Sequence, residues 1–325
     1  MLYTKYLLLS LCAVASSFAT TVGSAHLDLN TTTTAACSPA QLKIMPVRKA
    51  LVVGGTSGIG HGISLYLAKT GVDVTIAGRS ESAGTKIVGE MNDVSRAAGH
   101  IEPNHSFVKV DAFDLTDVKS LAHAHSGTQL DYLVMTQGMA TIQGLTLTND
   151  NIDQKLCLHY YSRMLLANIL APTLSKSDDG KVLSVLSAGV HSAYTGLESD
   201  PLLEKNYSIK NAADAAGYYN DLGCDLLAQK YPKLAVSHAC PGFVNTNWGT
   251  EMPWALRMCV RGLQVFGTSL EQCGENLGGG LLKLSPGFTL MDPDGNPSAN
   301  KLSEHNDASL EILKKHTEDV LKKWM

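Results

Sequence analysis

Residues 51–69, LVVGGTSGIGHGISLYLAK, constrain this chain more than any other stretch. Ala50, Leu51, Val52 and Val53 form an apolar run of strand length, broken by a glycine-rich turn from Gly54 to Gly60. A helix follows, with Ile63, Leu65, Leu67 and Ala68 as its apolar residues. Strand, glycine turn and helix in that order set unpaired helix-start N–H groups, and the positive end of a helix dipole, against a phosphate. The spacing is Gly54-x-x-x-Gly58-x-Gly60. Gly54 permits the tight turn, Gly58 lets backbone approach a pyrophosphate, and Gly60 lets helix and strand pack closely. Thr56, Ser57 and Ile59 fill the turn between them and belong to the same candidate phosphate site.

The same alternation continues along the chain. Strand signals recur at residues 72–77, 107–110, 130–135, 181–186 and 234–239, and helical patterns at 159–174 and 212–229. Strands alternating with helices of this length predict right-handed crossovers. The expected fold class is α/β: a Rossmann-type doubly wound parallel sheet in three layers, helix, sheet and helix. Ligands of such sheets bind beyond the carboxyl ends of the strands. The conspicuous polar residues sit at those ends: Arg79, Asp114, Gln137 with Gly138, Ser187, and the run from Pro241 to Thr246.

At 325 residues with 44% hydrophobic side chains, the chain can fill one large core. A net charge of −4, spread without long runs, leaves no electrostatic footprint for nucleic acid. The seven cysteines are scattered without metal-ligand spacing and read as free thiols, and no metal is expected. Residues 1–25 have the layout of a signal peptide: Lys5, an apolar middle from Tyr6 to Ala15, then small residues. That apolar stretch is too short to span a bilayer comfortably. Residues 26–47 form a low-complexity linker, and residues 48–325 a single domain. Two destinations stay open: the secretory pathway if residues 1–25 act as a signal, or the cytoplasm if translation starts at Met45.

From Arg48 to about Leu282 the chain resembles the short-chain dehydrogenase/reductase family. Val53-Gly54-Gly55-Thr56-Ser57-Gly58-Ile59-Gly60 is similar to the family's Thr-Gly-x-x-x-Gly-Ile-Gly, with Val53 in place of threonine. The resemblance implies that Asp114 holds an adenine amine and that Thr136-Gln137-Gly138 packs against the nucleotide in place of Asn-Ala-Gly. It also implies that Ser187 is the catalytic serine and that Pro241, Gly242, Val244 and Thr246 lie beside the nicotinamide. An acidic residue after the second strand would repel a ribose 2′-phosphate, whereas Arg79 offers it a planar fork of donors. NADP(H) is therefore expected over NAD(H).

The departures concern the proton. The family uses a tyrosine whose pKa is lowered by a lysine four residues on. No Tyr-x-x-x-Lys lies between Ser187 and Pro241. Tyr207 is the candidate acid, with Lys210 at i+3 as a partner able to approach it, while Tyr218 and Tyr219 read as packing residues. His159 stands where many relatives have an asparagine that holds a water in the proton path, open to either a relay or a structural part. The segment around His159 and the lysine-free helix resemble a divergent branch of fungal and oomycete type.

An apolar segment at about 247–270, with Trp248, Met252 and Trp254, suits a substrate cover or a helix packed on the sheet edge. Gly278, Gly279 and Gly280 are expected to lead into a last strand, and residues 308–324 to form an amphipathic helix docking through Leu310, Leu313, Val320, Leu321 and Trp324. That helix could cover a neighbouring subunit, since the resemblance implies a homodimer or homotetramer. Two functions follow: an oxidoreductase moving a hydride between NADP(H) and the carbonyl or alcohol of an apolar small molecule, or an NADP(H)-binding sensor or scaffold without turnover.

Overall fold

The computed structural model describes residues 47–246 and 267–325. The expected leader at 1–25, all of the linker but Val47, and most of the apolar cover segment lie outside the described residues. Seven parallel strands run β1 (Lys49–Val53), β2 (Asp73–Gly78), β3 (Ser106–Lys109), β4 (Tyr132–Met135), β5 (Lys181–Val185), β6 (Ala235–Ala239) and β7 (Gly287–Met291). Their spatial order is β3-β2-β1-β4-β5-β6-β7. The chain therefore winds outward from β1 to β3, returns to the centre, and winds outward again from β4. Strands β4 and β5 are buried along their length, and β1 from Ala50 onward, because helices cover both faces.

On one face lie α1 (Gly58–Lys69), α2 (Glu81–Ala97) and α7 (Leu270–Lys283), enclosing a core that includes Val52, Ile63, Leu67, Met91 and Leu277. On the other lie α3 (Leu115–His125), α5 (Ser162–Leu174), α6 (Ile209–Lys230) and α8 (Asp307–Leu321) around Leu51, Leu133, Leu165 and Leu222. A short helix α4 (Gln154–Leu156) enters α5 through a π-helical turn, Cys157–Tyr161. The expected three-layer α/β architecture is what forms.

Gly278, Gly279 and Gly280 lie within α7, which leads into the last strand, β7, as expected. Glycine suits that helix because α1 and α7 cross at backbone contact: a Cβ on Gly274 would fall 2.3 Å from Gly62 O, and one on Gly278 2.5 Å from the Tyr66 ring. Close approach outweighs glycine's low helix propensity. The terminal helix docks on its own chain through the expected residues. Leu310, Leu313, Leu321 and Trp324 are buried in the α5–α6 core, with Val320 packed against it. Tyr160 and Thr317 hydroxyls meet at 2.6 Å, and Tyr161 Oη lies 2.7 Å from His316 Nε2.

Candidate active site

The sheet's direction of winding reverses between β1 and β4, so their carboxyl ends open a crevice. Gly54 leaves β1 at φ +85°, and a Cβ there would fall 2.6 Å from Gln137 N, just past β4. Gly60 is tighter still: its Cβ would lie 2.3 Å from Thr136 Oγ1 and 2.5 Å from Gly54 O. Gly58 adopts φ +55°, and the nearest atom to its Cβ position is the Thr246 methyl, at 3.9 Å. The glycine turn thus has sheet on one side and the segment from Pro241 to Thr246 near its open side. Thr56 leans over Gly78, whose Cβ would meet Thr56 Oγ1 at 2.7 Å. Ile59 is partly buried in the core beneath.

Among the described helices that start from a loop, α1 differs in its cap. The side chains of Ser80, Asp114, Ser208, Ser269 and Asn306 each accept a backbone N–H at the start of α2, α3, α6, α7 and α8. Ser57, the N-cap of α1, makes no such bond, and the first turn carries no acidic residue. Its leading N–H groups are left to an anion. Gln137 Oε1 is buried with no hydrogen-bond partner among the described residues. Arg79 is exposed beyond β2 with its guanidinium 5.5 Å from the centre of the Phe113 ring. Asp114 is exposed and Oδ1 caps α3, accepting from Thr116 N at 2.8 Å. Gly242 turns at φ +66°, while Val244 is buried and bridges to Thr268. These residues fit a dinucleotide: a glycine cradle, an uncapped helix end, an orphaned amide oxygen and a planar cation stand along one edge of the sheet.

A residue not singled out from sequence holds the crevice floor. Arg163, wholly buried, donates through Nη1 to Ser184 Oγ (2.8 Å) and Val185 O (2.9 Å), and through Nη2 to Gln137 O (2.6 Å). It ties the end of β5 to the segment after β4, and burial pushes its pKa down to about 9. Ser184 Oγ donates to Asn220 Oδ1, and Asn220 Nδ2 donates to the carbonyl of His159 at 2.7 Å. His159 sits in the π-helical turn, a distortion that recurs at functional sites. Its Nε2 accepts from Met139 N at 2.9 Å and lies 3.3 Å from the Cβ position of Gly138. Burial, with Arg163 and Lys155 nearby, lowers His159 to about 3, so it is neutral and its Nε2 lone pair is committed. The geometry gives it a structural part in holding the loop after β4.

The tyrosines separate by their hydroxyls. Those of Tyr194, Tyr218 and Tyr219 donate to the carbonyls of Asp200, Glu304 and Pro201 at 2.9, 2.6 and 3.0 Å. Among the described residues the Tyr207 hydroxyl has only a 3.5 Å contact, to Gln143 O, at the edge of what counts as a bond. The expected pairing with Lys210 is not formed: Lys210 is exposed and its ammonium pairs with Asp214, one helical turn on. The i,i+4 partner at a helix start wins over a tyrosine that lies before the helix. The ammonium over the Tyr207 ring belongs to Lys155, 5.4 Å from its centre, and also donates to Gly144 O.

Behind Ser187 lies a second cluster that sequence reading missed. His238 Nδ1 lies 2.5 Å from Asp221 Oδ1, and its Nε2 accepts the Ser187 N–H at 3.2 Å. His191 Nδ1 is 2.7 Å from Ser187 O, and its Nε2 is 3.2 Å from Asp221 Oδ2. Residues 187, 191, 221 and 238 match no spacing motif, because α6 and β6 bring them together only in the fold.

A model of the short-chain dehydrogenase family matches residues 48–254. An oxidoreductase of Emericella nidulans is 30% identical over 218 residues, covering 66% of this chain and 63% of that protein. The human polyprenol dehydrogenase is 25% identical over 225 residues, 66% of each chain. The chain thus matches about three-fifths to two-thirds of the length of these curated relatives. A short-chain dehydrogenase of Sphingobium yanoikuyae, solved with NADPH, aligns with a TM-score of 0.53 at 17% identity, over 85% of this chain and 96% of that one.

Proposed function

Since this chain belongs to the short-chain dehydrogenase family, we propose that it is an oxidoreductase transferring a hydride between NADP(H) and the carbonyl or alcohol of an apolar small molecule. The observation that carries the cofactor reading is the uncapped start of α1 above a glycine cradle, with Arg79 at the end of the neighbouring β2. The nicotinamide, when bound, supplies or accepts the hydride. The chain's own residues do the rest. Backbone N–H groups from Gly58 onward hold the diphosphate. Arg79 pairs with the 2′-phosphate. Ser187, at the end of β5, holds the substrate oxygen. Tyr207 is the proton donor by exclusion, since the hydroxyls of Tyr194, Tyr218 and Tyr219 are committed to backbone carbonyls.

A second reading, a nucleotide-binding sensor or scaffold, is favoured by one observation: Lys210 serves Asp214 rather than Tyr207. Fluorescence titration of the full chain with NADPH and NADH tests the common premise. Tight NADPH binding that Arg79→Ala weakens by tenfold or more, while NADH binding hardly changes, is expected on the order of one to two charge-assisted hydrogen bonds. Equal losses for both nucleotides would refute the 2′-phosphate assignment. Binding of neither would refute both functions.

A further inference from the structure

The π-helical turn Cys157–Tyr161 carries contacts in two directions. His159 Nε2 accepts the Met139 N–H at 2.9 Å and so fastens the loop after β4. The next two residues fasten the turn itself to α8. The hydroxyls of Tyr160 and Thr317 meet at 2.6 Å, and Tyr161 Oη lies 2.7 Å from His316 Nε2. Both rings are buried and meet edge to face at 5.1 Å, so a hydroxyl that lost its partner there would stay unpaired. A slip into the α-helical register would remove the extra residue of this turn and rotate its side chains. The contacts to α8 and the contact to Met139 would then break together.

The C-terminal helix reaches both ends of one segment. Lys323 Nζ, just past α8, pairs with Asp150 Oδ1 at 3.0 Å. Such an exposed pair adds little strength. It shows, though, that α8 spans the stretch from Asp150 to Tyr161, which contains α4 and His159. Met139, at the far end of the His159 contact, lies two residues past Gln137, whose buried Oε1 has no hydrogen-bond partner among the described residues. We infer that α8 is a latch on the nucleotide crevice: through Tyr160 and Tyr161 it holds the π-helical turn, and through His159 it sets the loop that carries Gln137, Gly138 and Met139.

The loop then has two holds of different kinds. Arg163 grips it at Gln137 O, at 2.6 Å, from within the buried layer beside β5. His159 grips it at Met139 N, and the direction of its ring depends on the register of the turn. Asn220 keeps the backbone of that turn in place through the His159 carbonyl but makes no bond to the ring. Lifting α8 would therefore free the second hold and leave the first intact. Tyr160, Tyr161, His316 and Thr317 are positioning residues, since each acts through His159. Their bearing on the nucleotide rests on the oxidoreductase reading, whereas the coupling of α8 to the loop does not.

Amide hydrogen exchange of the ¹⁵N-methionine-labelled full chain, without nucleotide, tests the coupling, with Met139→Leu assigning the Met139 signal. Tyr161→Phe and Thr317→Val each remove one hydroxyl and nearly keep the side chain's shape. Either is expected to speed exchange at Met139 on the order of tenfold, as the loss of one buried hydrogen bond implies. Gly274→Ala, which lowers stability at the α1–α7 crossing, serves as the reference and should leave Met139 exchange nearly unchanged. A Met139 amide that responds equally to Gly274→Ala reports overall stability alone and overturns the inference, as does one that responds to no variant. If one hydroxyl variant does not fold, the other decides. In nucleotide titrations Tyr161→Phe should weaken NADPH and NADH alike, unlike Arg79→Ala. Faster exchange with unchanged nucleotide affinity would overturn the link to the crevice. Binding of neither nucleotide by the unmodified chain would remove the oxidoreductase reading and leave the exchange result to decide the latch.

Discussion

His159 offers a direct measurement of how the loop after β4 is held. In the folded chain it is neutral, lowered to about 3 by burial and by Arg163 and Lys155, from an ordinary value of 6.5. The unfolded chain therefore takes up the proton first. The stability that the neutral ring preserves is fully present above about 6.5, and is lost as pH falls from there toward about 3. Between pH 7 and pH 5 this linkage amounts to at most about 2 kcal/mol. His159→Gln keeps an acceptor for Met139 N but cannot be protonated, so it should shed that part of the acid sensitivity. Urea unfolding at the two pH values, followed by tryptophan fluorescence, gives the difference. His105, His238 and His316 are also lowered by burial and contribute equally to both proteins, so they cancel. A variant that loses as much stability as the unmodified chain would show that His159 is not a neutral acceptor, and the account of the π-helical turn would fail with it.

Two further tests address packing and chemistry. Gly274→Ala puts a methyl 2.3 Å from the carbonyl oxygen of Gly62 and should destabilise by roughly 1–3 kcal/mol in thermal melts, whereas Gly89→Ala, with nothing within 4 Å, should gain about 0.5–1 kcal/mol. A melt in which the two variants behave alike would refute the close crossing of α1 and α7. Tyr207→Phe removes a hydroxyl with one weak contact, so NADPH binding and melting temperature should hold while carbonyl reduction falls on the order of a hundredfold or more. Unchanged turnover would take Tyr207 out of the reaction.

The fold was legible because periodicity reports burial, and a parallel sheet covered on both faces writes itself as apolar runs. The glycine turn was legible for a local reason: Gly54 and Gly58 need positive φ, and Gly60 needs the absence of a Cβ. The glycines of α7 carry no local mark of their cause: Gly274 meets the Gly62 backbone and Gly278 the Tyr66 ring, each more than two hundred residues earlier. Lys210 misled because sequence distance to Tyr207 says nothing of the competing carboxylate at Asp214. Arg163, His191, Asp221 and His238 were invisible for the same kind of reason. Their roles are set by what the strands and helices bring opposite them, and an arginine in a helix or a histidine in a strand carries no mark of complete burial.

The hydroxyl of Tyr160 waits for Thr317, and that of Tyr161 for His316, over chain separations of 157 and 155 residues. On the ribosome, both rings are made long before the residues that shelter them. Until α8 has emerged, the part of the α5–α6 layer that it will cover lies open to the medium, with Leu313 and Trp324 still missing from the core. Synthesis interrupted before residue 307 would yield a chain with every described strand in hand and that surface bare, a natural substrate for chaperones and proteases.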